Sequence, residues 1–99
     1  MTPRKLLTII CEADLERSLA DDLSALGARG FTITDARGQG AHGARDGLWP
    51  SAANIRIEVL CDDHLASAIA EALQARYYEP YAMVIFIAAM RGVAQMALC

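Results

Sequence analysis

Residues 54–61, NIRIEVLC, alternate apolar and polar side chains, with Ile55, Ile57 and Val59 on one side and Arg56 and Glu58 on the other. A period of two is the pattern of a strand with one face covered and one face wetter. Three more stretches read as strands. Lys5–Cys11 (KLLTIIC) is a short apolar run, and Gly30 to about Gly38 alternates through Phe31, Thr32, Ile33, Thr34 and Asp35. Met83–Ile87 (MVIFI) is apolar on both faces. Between them lie two stretches with helical spacing. Leu15, Leu19, Leu23 and Leu26 form one stripe, opened by Glu12-Ala13-Asp14 with Asp14 as the expected cap and closed by Gly27 and Gly30. Leu65, Ile69, Ala72, Leu73 and Arg76 form the second, opened by Asp62-Asp63 and broken where Pro80 restricts the residue before it. The order β-α-β-β-α-β predicts an α+β, ferredoxin-like domain spanning residues 1–99.

The central strands are not joined by a tight turn. About fifteen residues separate Gly38 from Asn54, and Gly38, Gly40, Gly43 and Gly47 punctuate the segment. A loop of that length in a small domain is functional or disordered more often than it is a plain connector. Arg37, His42 and Arg45 add positive charge, and glycines let backbone N–H groups turn toward an anion. A mobile loop over about 39–53 that holds a phosphate or bicarbonate at its root is the expectation. Trp49-Pro50 lies near its tip, either packed on its own domain or offered to a partner.

Composition narrows the function classes. The chain is 55 % apolar with a formal net charge of −3, which speaks against a general nucleic-acid binder and for surface hidden in an oligomer. The longest apolar run, Tyr81–Met90, is half the length of a membrane-spanning helix, and no amino-terminal signal pattern is seen, so a cytoplasmic protein is expected. Cys11, Cys61 and Cys99 form no CxxC and no Cys/His cluster, so no metal site is expected. Cys11 and Cys61 end apolar strands and read as buried thiols.

Other functions of this fold ask for residues that are missing here. Metal-transfer domains need CxxC where this chain has Cys11-Glu12-Ala13, and RNA-binding domains need aromatics where it has Ile33, Ile55, Ile57 and Val59. An acylphosphatase-like enzyme needs an arginine loop after the first strand, but that loop is acidic; no catalytic residues are assigned. A phosphate-cleaving enzyme and a CutA-like trimeric module remain as alternatives.

The run GFTITDARGQG resembles the second strand and loop root of PII signalling proteins, and NIRIEVLCDDHLASAIAEAL is similar to their third strand and second helix. YYEPYAMVIFI resembles the carbon-associated branch of SbtB-like and carboxysome-linked CPII proteins. In that branch the loop also carries Gly-x-Gly and two spaced basic residues, as do Gly38, Gly40, His42 and Arg45. The resemblance implies a homotrimer with adenine nucleotide, ADP or AMP before others, in the clefts between subunits. It places Thr32 and the backbone of Leu60 against the base, and the amides of Gly38, Gln39, Gly40 and Ala41 at the phosphates with Arg45 as clamp. Arg37, at the strand edge, is either a further ligand contact or a surface charge. Bicarbonate is implied near Gly40, His42 and Arg45. A bicarbonate transporter or carboxysome component is the implied partner, with regulation rather than catalysis as output.

Three departures stand out. The loop has no tyrosine to accept a uridylyl group, and the Cys-Gly-Pro-x-Gly-Cys tail of SbtB-like chains is missing, with Cys99 where its first cysteine would fall. Met83 also stands where such chains commonly have glycine.

Overall fold

The computed structural model describes residues 4–40, 43–44, 53–77 and 82–91. Strand β1 (Arg4–Glu12) is followed by a 3₁₀ turn (Ala13–Leu15), helix α1 (Glu16–Leu26), β2 (Thr32–Ala36), the short strands β3 (Gln39–Gly40) and β4 (Gly43–Ala44), β5 (Asn54–Cys61), α2 (Asp63–Tyr77) and β6 (Val84–Met90). β2, β5, β1 and β6 form one sheet in that order, each antiparallel to its neighbour. Each helix therefore carries the chain past one intervening strand: α1 links β1 to β2 across β5, and α2 links β5 to β6 across β1. This is the expected ferredoxin-like α+β fold.

The alternation in β5 decides which face the helices cover. Ile55, Ile57 and Val59 are buried, and they lie opposite Cys11, Ile9 and Leu7 of β1. Leu15, Leu19, Leu23, Ala66, Ile69 and Leu73 from the helical side close the same core. Burying a side chain of this size contributes about 1.5–3 kcal/mol each, so the helix stripes and the strand alternation stabilise one another. Cys11 and Cys61 are buried thiols near opposite ends of the β1–β5 ladder, as expected.

The helix ends differ in how they are held. Asp62 caps α2: its Oδ1 accepts the Leu65 N–H at 2.8 Å. Asp14 does not cap α1, contrary to expectation; it lies exposed in the 3₁₀ turn, and no side chain caps the start of the helix proper. The backbone supplies the anchor instead, because the Ala13 N–H donates to the Ala53 carbonyl at 2.8 Å. Gly27 ends α1 with φ 107°, its N–H reaching Ser24 O at 3.2 Å while the Ala28 N–H reaches Leu23 O at 2.9 Å. That pair of bonds is a Schellman ending, which needs a residue at ease in the left-handed region.

A polar clamp joins the two helices where α2 ends. Asp22 accepts from Arg76 Nη1 at 2.6 Å and from the Tyr77 hydroxyl at 2.7 Å. Burial, with the Asp22 carboxylate beside it, pushes the Tyr77 phenol up to about 12.

Candidate functional site

Among the described residues no helix packs on one face of the sheet, and the register lays that face's residues out in rows. Thr32, Glu58, Thr8 and Phe86 form the middle row; Thr34, Arg56, Ile10 and Val84 form the next. On the other side of the middle row come Leu60, Leu6 and Ala88. The face is therefore split. Its β2–β5 half is polar, with the Arg56 and Glu58 side chains in contact at 3.4 Å. Its β1–β6 half is apolar, and Val84, Phe86 and Met90 are exposed on it. Thr8 sits at the boundary, wholly buried, with an Oγ1 that has no hydrogen-bond partner among the described residues. The expectation of a fourth strand apolar on both faces holds, since Ile85 packs on the core while Val84 and Phe86 face outward.

The predicted contact residues fall along one strand edge. Among the described residues β2 is an outer strand, so along one side its backbone N–H and C=O groups meet no further described strand. Thr32 is exposed near its start, opposite Glu58, and Leu60 lies one step further along the same face. Arg37 and Gly38 are exposed just past its end. Six residues of chain, roughly 20 Å where extended, separate Thr32 from Gly38. The structure thus places Thr32 and Leu60 together and Arg37 and Gly38 together, at opposite ends of one edge.

Two findings modify the sequence reading. Gln39 and Gly40 do not begin an irregular loop: they form β3, paired with Ala44 and Gly43 of β4. Gly40 and Gly43 face each other, so a short ribbon forms within the expected loop. In the sequence Glu58 is only the polar side of a strand, yet its register with Thr32 sets a carboxylate beside the expected base position. The signal is the alternation itself, which reveals its neighbour only when the pairing is known. Ala41, His42, Arg45, Trp49 and Cys99 lie outside the described residues. Among the described residues no group of three or more His, Cys, Asp or Glu side chains is placed to hold a metal ion, and no helix is long and apolar enough to cross a membrane.

A ferredoxin-like sheet with one face that no described element covers and a glycine-rich connection at its edge is a scaffold shared by several families. Comparison with known sequences decides among them. The profile described as Nitrogen regulatory protein P-II matches residues 4–96, so the chain belongs to the P-II family. Solved structures agree. A PII-like signalling protein of Thermus thermophilus is 38 % identical over 90 % of this chain and 88 % of its own, with a TM-score of 0.74. CPII of Thiomonas intermedia, a nitrogen regulatory PII-like protein solved with ADP, AMP and bicarbonate, is 28 % identical over 89 % of this chain and 92 % of its own, TM-score 0.75. A DUF3240 protein of Shewanella baltica shares the fold, with a TM-score of 0.76 over 98 % of this chain and 100 % of its own, at 18 % identity.

Proposed function

We propose that this chain is a homotrimeric PII-like regulator that binds an adenine nucleotide and bicarbonate and acts on a partner in carbon uptake. One observation carries the ligand reading: Thr32 and Leu60 share one end of the β2 edge while Arg37, Gly38 and the glycine-rich connection share the other. A nucleotide laid along that edge has its base at Thr32, Glu58 and the Leu60 backbone. Its phosphates meet the amides of Gly38, Gln39, Gly40 and Ala41, with Arg37 and Arg45 as cations. Bicarbonate sits beside them, at Gly40, His42 and Arg45. The CPII structures with ADP and bicarbonate support this choice of ligands over others of similar charge.

The bare sheet face supports the trimer. Val84, Phe86 and Met90 are about two-fifths exposed, at 42, 42 and 41 %, on a face that no described element of this chain covers. Aromatic and aliphatic surface of this kind is what subunit interfaces bury. Packing three such faces together brings the β2 edge of one subunit beside its neighbour, forming the ligand cleft. Ligand binding then orders the 39–53 segment and changes the surface offered to a cytoplasmic or carboxysome-associated partner, an order–disorder switch without bond cleavage.

Calorimetry with ADP and AMP, each with and without bicarbonate, tests this reading. Binding is expected without turnover, and Arg45→Ala weakens it by roughly tenfold, the scale of one charge-assisted contact. No heat with any adenine nucleotide would leave the CutA-like assembly role, and release of phosphate would leave the phosphate-cleaving alternative.

A further inference from the structure

Strand β6 is the other outer strand of the described sheet, and it is exposed on both of its sides. Val84, Phe86 and Met90 lie on the face that no described element covers. Ile87 lies on the opposite face: it pairs with Leu7 of β1, a core residue, yet it is 38 % exposed. The helical layer therefore stops short of this edge. Packing subunits face to face covers the first three side chains and leaves Ile87 as it is. A strand laid alongside β6 sets side chains next to both groups at once.

The backbone offers the same opening. Among the described residues nothing pairs with the outer side of β6, so its N–H and C=O groups there can accept a further ladder. Outer strands are commonly guarded against such pairing by charge, proline or a bulge. β2 presents Thr32, Thr34 and Asp35 to solvent. β6 reads VIFIAAM, seven residues without charge, proline or glycine.

This sequence is also complementary to itself. Turned antiparallel to a second copy about Ile87, all seven residues find a counterpart, and no other register achieves that. Phe86 then falls opposite Ala88, Ile85 opposite Ala89 and Val84 opposite Met90. Bulky side chains meet small ones on each face of the pair, so the two strands approach without a clash. A contact that uses one patch twice closes on itself across a twofold axis.

We propose that the outer edge of β6 docks β6 of a second copy, joining two four-stranded sheets edge to edge. The pairing uses the edge of β6 rather than its face, and it requires neither the ligand nor the threefold assembly of the proposed function.

The test combines cross-linking with sedimentation equilibrium on the full chain. In the proposed register the two Ile87 Cα atoms lie about 4.5–5.5 Å apart, within disulfide reach. The two Ala89 positions lie about 13 Å apart, beyond it. In a Cys99→Ser background, with Cys11 and Cys61 buried, Ile87→Cys should therefore link to itself under mild oxidation and Ala89→Cys should not. Raising the concentration of the unmodified chain should double its assembled mass, and Ile87→Lys or Ala89→Lys, both at exposed positions, should abolish the doubling. Equal linkage at the two positions, no linkage at Ile87→Cys, linkage of Ile87→Cys to an Asp35→Cys chain instead, or a mass that never doubles would overturn the pairing. The unit that Ile87→Lys leaves, three chains or one, reports on the trimer separately, so the two ideas fall independently.

Discussion

The Tyr77 hydroxyl donates to Asp22 at 2.7 Å, tying the last residue of α2 to the middle of α1. Burial first, and then the Asp22 carboxylate, favours the neutral phenol and raises its pKa from 10.0 to about 12. A raised folded pKa adds stability that is complete below pH 10 and is lost as the pH climbs through 12. Ultraviolet titration of phenolate should show Tyr77 ionising near the upper value, and Asp22→Ala should bring it down. A Tyr77 transition unmoved by that replacement would remove Asp22 as a cause.

The same Asp22→Ala replacement breaks the bond to Arg76 as well. Since the Arg76 side chain is half exposed, its share is small, and the expected loss of stability is about 1–2 kcal/mol in a urea titration.

Gly27→Ala tests the α1 ending. A Cβ there would meet only Leu65 Cδ1, at an ordinary 3.8 Å, so space is not the obstacle. The backbone is: φ 107° is strained for any L side chain, and a loss of about 1 kcal/mol is expected by thermal denaturation. An unchanged melting temperature would show that the turn relaxes.

Phe86→Asp tests the bare face. The side chain is no part of the buried core cluster, so the subunit should still fold. A charge at the centre of the proposed interface should convert the trimer to monomer in light scattering at micromolar concentration. A trimer that persists would move the interface elsewhere.

Thr32→Val keeps the shape of β2 and removes its hydroxyl. On the proposed reading, ADP affinity falls about threefold to tenfold, the worth of one neutral hydrogen bond. Equal affinities by calorimetry would detach Thr32 from the base.

The sheet is legible in the sequence because its signals are local. Ile55, Ile57 and Val59 declare a covered face by alternation, and the β5 bounds, Asn54–Cys61, follow directly from it. Leu15, Leu19, Leu23 and Leu26 do the same for α1 with another period, and all four pack on the core. Asp14 misleads because a backbone bond from Ala13 to Ala53 does the work that a side-chain cap would otherwise do, and that partner is forty residues away. β3 and β4 escape notice because glycine carries no periodicity to read. The site is legible only in part. Thr32 and Leu60 come from resemblance, whereas the nearness of Glu58 to Thr32 depends on register, which no single stretch of sequence encodes.

Ala36 pairs directly with Asn54, so the chain leaves the sheet and returns to it at neighbouring positions. Everything between is, for the sheet, an interchangeable insert. Lengthening such a segment costs little, about 0.6 kcal/mol for each doubling. Selection can therefore rewrite its glycines, its basic residues and its tip without renegotiating the core. A chimera that carries another family member's 37–53 segment should fold as this protein does and answer to a different partner. The scaffold and its message can thus evolve at separate rates.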